Sequence, residues 1–253
     1  MQRRVAALYY GVTYLDTTQI VSANAPTETA SVASFECTVT RERLTAKPVI
    51  DYPDEDSARA ALEPTLHAWE ATTELIDGYP VRFDFEQSQM EVVDPSEGNT
   101  VAMAGVAMVA VATLEATATL ERGRFPMPKD EIKSVGEMTT LLRTRWRNVA
   151  QGRELVTGSA YFVLTTLEDK FGGRNGVAST LCISRNILDK LGRLASTEDP
   201  QLGRKAGGGP GPLISEDVIW IKAACHQLIK RVMLYEAGIQ HLPQITMADV
   251  AKQ

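Results

Sequence analysis

Phe125-Pro126-Met127-Pro128 is the stretch on which the organisation of this chain turns. Pro126 and Pro128 each fix φ and remove a backbone donor, which makes a rigid connector. Before it, apolar residues recur mainly at every second position. After it, they recur at helical spacing. Charge changes sign at the same place. Residues 1–128 carry 9 Lys and Arg against 19 Asp and Glu, a net of −10, and residues 129–253 carry 17 against 13, a net of +4. The chain therefore reads as α+β with two domains. Residues 1–128 form an acidic β-rich domain, a mostly antiparallel sheet carrying one helix, and residues 129–253 form a basic α-helical bundle.

Working back from the connector, Val101–Arg122 alternates through Leu114, Ala116, Ala118 and Leu120. That reads as a strand pair or one long bent strand, with an alanine-rich helix as the rival. Val81, Phe83 and Phe85 alternate with Arg82, Asp84 and Glu86, a strand. Asp54–Gly78 reads as a helix, with Ala58, Leu62, Leu66, Trp69 and Ile76 on one face and Asp54, Glu55 and Asp56 in the first turn. Pro64 either kinks it or begins a second helix. Phe35, Cys37 and Val39 mark a half-buried strand within Ser34–Leu44. Residues 22–31 read as a loop and residues 5–15 as a strand.

Working forward, Ile132, Val135, Leu142, Trp146 and Val149 make one stripe. Leu155–Phe171 is apolar on nearly every side, as the central helix of a bundle is, and Gly172 and Gly173 stop it. Ser184 is placed to cap a helix through Ile187, Leu188, Leu191 and Leu194. Residues 196–212 are a loop, and Ser215 is placed to cap the last long helix. The final 15 or so residues read as weakly held.

A hydrophobic content of 44% with 23% charged residues is that of a globular protein, not a disordered one. Three widely spaced cysteines, Cys37, Cys182 and Cys225, fit neither a disulfide framework nor a zinc knuckle and read as reduced, buried thiols. Val101–Ala112 is the longest apolar run and is too short to cross a bilayer. Tyr9, Tyr10, Gly11, Thr13 and Tyr14 break the apolar stretch that follows Arg3 and Arg4, so no signal peptide is expected. The expectation is a soluble, cytoplasmic protein with no membrane contact. A pI near 5.2 argues against general nucleic-acid affinity while leaving room for a local basic face.

No motif specifies a reaction. Arg204 and Lys205 precede Gly207, Gly208 and Gly209, whose open N–H groups could receive a phosphate or carboxylate ahead of a helix N-terminus. The order is not that of a P-loop, Pro210 and Pro212 remove donors, and Glu216 and Asp217 repel an anion. A plain surface loop is the competing interpretation. Arg143 and Arg147 share a helix face while Arg145 points elsewhere. Solvation, or ion pairing with the acidic N-terminal part, competes with phosphate binding there. His67 lies between Glu63 and Glu70, but no second such element completes a di-metal site. Cys225 and His226 diverge on their helix, so neither a metal nor a cofactor is expected.

The run GRELVTGSAYFVLTTLEDKFGGRNGVASTLCISRNILDKLGRLAS (152–196), with Arg204-Lys205 and PLISEDVIWIKAACHQLIKR (212–231), resembles a helical segment of uncharacterised bacterial proteins, some named methylamine-utilisation protein MauJ. That resemblance implies an accessory role. The same layout is distantly similar to HEPN domains, whose signature is an Arg followed closely by a His. No Arg stands closely before His226, and His241 lies ten positions after Arg231, so such a domain would be inactive. The expected function is a non-enzymatic accessory or protein-interaction protein of the bacterial cytoplasm with an unknown protein partner, itself able to homo-oligomerise. The alternative is a nucleic-acid- or nucleotide-binding HEPN-like module acting through Arg143, Arg147, Arg204 and Lys205.

Overall fold

β-branched and aromatic side chains at alternate positions fold the first part of the chain into one antiparallel sheet. The computed structural model describes residues 2–16, 18–93, 100–102, 120–196 and 213–250. They fall into two compact units, Met1–Ser134 and Val135–Gln253. The strands of the first unit are β1 (Gln2–Tyr14), β2 (Gln19–Val21), β3 (Glu28–Val32), β4 (Phe35–Val39), β5 (Arg43–Pro48), β6 (Val81–Val93), β7 (Thr100–Ala102) and β8 (Leu120–Arg122), with helix α1 (Glu55–Leu75) between β5 and β6. Six of them form a sheet in the order β3-β4-β5-β1-β6-β7, every neighbour antiparallel, and β2 pairs with β8 in parallel. The α+β class, an N-terminal antiparallel sheet followed by helices, is as the sequence indicates.

One face of the sheet carries α1. Val5, Leu8, Tyr10, Phe35, Cys37, Val39, Leu44 and Ala46 meet Ala58, Leu62, Leu66 and Trp69 in a single buried cluster. Asp54 caps the helix, its carboxylate accepting from Ser57 N at 2.8 Å. The helix runs unbroken through Pro64, which sits on the exposed side, where its ring meets water rather than the sheet. The connector packs into this same core. Phe125 is buried edge-on to Trp69 at 6.0 Å, and Trp69 Nε1 donates to the Pro126 carbonyl at 2.7 Å.

Two strand expectations need correction. Residues 22–31 are not all loop, because β3 occupies Glu28–Val32. Ser34–Leu44 is not one strand but the middle of a three-strand meander, turning at Thr40–Glu42 between β4 and β5. Residues 103–119 lie outside the described residues, so the Val101–Arg122 expectation is met only at its ends, by β7 and β8.

The second unit is helical: α2 (Glu137–Ala150), α3 (Val156–Phe171), α4 (Arg174–Thr180), α5 (Arg185–Leu194), α6 (Ser215–Glu236) and α7 (Met247–Val250). The apolar α3 touches α2, α4, α5 and α6, the central position its composition called for. Gly172 ends it in the left-handed conformation, φ 72°. Ile132 is not part of the α2 stripe. It is buried in the first unit, five residues before the helix begins. Neither serine caps as expected. Ser184 occupies the N-cap of α5 without a side-chain bond, and Ser215 is already helical, with Ile214 at the N-cap. The described part of the tail is not loose either. Ile245 bridges Ile183 in parallel, with Ile245 N donating to the Cys182 carbonyl at 2.9 Å, and Val250 is buried. Among the described residues no helix is long and apolar enough to cross a membrane.

Candidate functional site

β3 is an edge of the six-stranded sheet, and its hydrogen-bonding geometry can be worked out from its neighbours. Ser34 O accepts from Val49 N at 2.8 Å, and Pro48, opposite Phe35, has no N–H to give. Phe35 therefore turns its N–H and C=O toward β3, and Val32–Phe35 is the bonded pair that closes the hairpin. Bonded pairs alternate along an antiparallel ladder. Ala30 and Glu28 also face β4, across from Cys37 and Val39. Thr29 and Ser31 must then turn their N–H and C=O groups away from the sheet, where no described residue meets them. Their side chains are exposed too, whereas Val32 is buried in the core.

The edge runs into a concavity. A cavity of about 410 Å³ is lined by the β3–β4 turn (Ser31, Val32, Ala33), by Thr65 of α1 and by the segment after the connector, including Pro128, Lys129 and Lys133. Lys129 is tied to Asp77 at 3.4 Å. Lys133 is exposed and makes no ion pair among the described residues. Arg124 reaches Glu28 at 3.6 Å at the other end of the strand. An extended chain lying along β3 would thus find two open backbone positions, then a recess lined by charges of both signs, Lys129, Lys133 and Asp130. The sequence signal for β3 was present in the alternation Thr29-Ala30-Ser31-Val32. Its shortness, and Pro26 just before it, made it read as loop.

Of the sequence-derived cations, Arg143 and Arg147 are described, both on α2. Arg204, Lys205, Gly207, Gly208 and Gly209 lie outside the described residues. Arg143 on α2 is buried at 6% exposure, and Arg147 is half-buried. Arg145 pairs with Glu154 at 2.7 Å and lies over the Phe162 ring at 4.5 Å, so its ion-pair partner is in its own helical unit. Glu154 also accepts from Ser159 Oγ at 2.8 Å and Asn148 Nδ2 at 3.1 Å. These bonds, the one from Ser159 foremost, hold its carboxyl below the ordinary range.

His67, Glu63 and Glu70 do not converge. His67 is exposed, Glu63 pairs with Arg59 at 2.8 Å, and Glu70 is buried, accepting from Phe83 N at 2.9 Å. Among the described residues no cluster of His, Cys, Asp and Glu could hold a metal ion. Of the thiols, Cys37 and Cys225 are buried, but Cys182 is partly exposed, contrary to its sequence reading.

No family model matches the chain, and no curated protein or solved structure matches it either.

Proposed function

We propose that this is a non-enzymatic interaction protein whose N-terminal unit receives an extended segment of a partner protein along β3. The observation that carries this is the unpaired edge. Thr29 and Ser31 present outward backbone groups over a five-residue strand that holds neither Pro nor Lys, two of the devices by which edges are usually blunted. Added strands bind through such groups, and pockets beside the edge select side chains. The cavity at the end of β3, lined by Asp130 and Lys133 as well as Val32, Pro128 and Ile132, would take a side chain of the incoming segment. A nucleic-acid role for the helical unit has less to rest on, since Arg143 is buried.

The test is site-specific photo-crosslinking in the source cells. A photoreactive residue at Ser31 should give a discrete protein adduct, and one at Lys47, on the interior strand β5, should not. Thr29→Pro removes one outward N–H that the ladder to β4 does not use, so the fold should survive and the Ser31 adduct should vanish. No adduct at Ser31, or an adduct that persists in folded Thr29→Pro protein, would reject strand addition at β3.

A further inference from the structure

We propose that Cys182 is a modification site, oxidised by hydroperoxides to a sulfenate whose charge is received by the guanidinium of Arg231. Three observations outside the β3 edge converge on it. The first is its place in the chain. At the end of α4, Leu181 N bonds Val177 O at 2.9 Å and Ile183 N bonds Ala178 O at 3.0 Å, with Cys182 between them at φ 51°. That is the left-handed closing position of a helix, where glycine is the ordinary choice and any side chain is unfavourable. A cysteine stands there, partly exposed, its thiol held only by a long contact of 4.0 Å to the Ser179 carbonyl.

The second observation is an unanswered cation. Arg231 on α6 is buried at 6% exposure. Its Nη2 donates to the Pro243 carbonyl, but its buried Nη1 has no hydrogen-bond partner and no carboxylate pairs with it among the described residues. A buried guanidinium left in this state lacks an anion. The third observation joins the two. The chain that Arg231 grips at Pro243 continues to Ile245, whose N–H donates to the Cys182 carbonyl at 2.9 Å and whose carbonyl accepts from Ser184 N at 2.8 Å. Arg231 and Cys182 thus bond the same short strap two residues apart, at Pro243 and Ile245. Burial lowers the pKa of Arg231, and the Coulombic influence of Cys182 opposes that shift, in keeping with their shared strap.

The step balances with a hydroperoxide as oxidant. The thiol gives its proton to solvent, and the sulfur attacks the outer peroxide oxygen. An S–O bond forms as the O–O bond breaks. Sulfur gives up two electrons, and the departing alkoxide or hydroxide takes a proton from water. The outer oxygen brings its hydrogen, so the product is a sulfenic acid; it loses that proton to solvent, and the sulfenate oxygen is an anionic acceptor for Nη1.

The full-length chain is treated with hydrogen peroxide, trapped with dimedone and mapped by mass spectrometry. Cys182 should label at least about tenfold faster in the native protein than in the same protein unfolded in urea. Cys37 and Cys225 are internal references, since burial pushes the Cys37 thiol up to about 12 and the Cys225 thiol higher still. They should label only after unfolding. Arg231→Gln should slow labelling of Cys182 while leaving the two references silent. Native Cys182 labelling no faster than unfolded would overturn the proposal, as would an unchanged rate in folded Arg231→Gln. Should that variant fail to fold, the native-to-unfolded ratio of the unaltered chain decides alone.

Discussion

Helix α2 begins at Gly136, which has no side chain to cap it, and its cap is brought from elsewhere in the same unit. Glu236, the last residue of α6, accepts from Met138 N at 3.2 Å, Thr139 N at 3.1 Å and Thr139 Oγ1 at 2.5 Å. Glu236→Ala removes a cap, which costs about 1 kcal/mol. It also strips partners from the fully buried Thr139, a further ~1–2 kcal/mol, for a total of roughly 2–3 kcal/mol. Gly136→Ala should cost about the same by a different route. A Cβ there would lie 2.2–2.5 Å from the Glu236 carboxylate atoms, so the carboxylate must leave. Gly136 itself has φ −71°, which alanine adopts freely. Once Glu236 is already Ala, Gly136→Ala should therefore change stability by less than about 0.5 kcal/mol. The double variant should be only ~2–3 kcal/mol less stable than the parent, although the single losses add to about twice that. Urea unfolding followed by circular dichroism at a helical wavelength, on all four proteins, measures this. Additive losses, or a Gly136→Ala protein as stable as its parent, would refute the trans-cap.

Further expectations rest on single residues. Ala33 holds φ 51° in the two-residue turn between β3 and β4, so Ala33→Gly should stabilise the first unit by about 1 kcal/mol in urea titration; a loss of stability would mean the turn is unstrained. A Cβ at Gly176 would sit 1.6 Å from the Phe171 carbonyl oxygen, so Gly176→Ala should cost about 3 kcal/mol or more, whereas Gly158→Ala, with open space around it, should gain up to about 1 kcal/mol. Glu154 is held below its ordinary pKa of 4.5 by Ser159, Asn148 and Arg145, and Asp189 is held below its own by Arg174 and then Arg185. Carboxyls lowered in the folded state stabilise it above the unfolded pKa, and that contribution is lost as pH falls through the folded pKa. Stability measured against pH should decline below about 4.5, and Glu154→Gln should be less stable at neutral pH with a flatter acid limb.

Long periodic segments were legible in the sequence because burial writes the same period into many residues. Leu155–Phe171 could be read as central from its apolar surround, and α1 from Ala58, Leu62, Leu66 and Trp69. Short elements were not. The pattern of β3 spans five residues, fewer than the Ser, Thr and Pro around it need to be outvoted. The capping serines misled because a Ser before an apolar run is a local signal, whereas the α2 N-terminus is capped by a residue 98 positions away from Met138. The β3 edge is a consequence of strand order, and strand order is tertiary. Nor could the Cys182–Arg231 relation be seen in sequence, since a strap of other residues brings it about.

The centre of the sheet has a consequence for how the protein is made. Tyr14 pairs with Val81, and Gln2 with Val93, so the first strand of this unit to be made is completed by one of its last. At about 5–20 residues per second, β1 waits several seconds before β6 exists. During that interval Val5-Ala6-Ala7-Leu8-Tyr9-Tyr10 is an apolar strand without a ladder. The core closes later still, when Phe125 arrives against Trp69. Chaperone dependence during synthesis, and aggregation of chains truncated before residue 125, follow from that order of arrival.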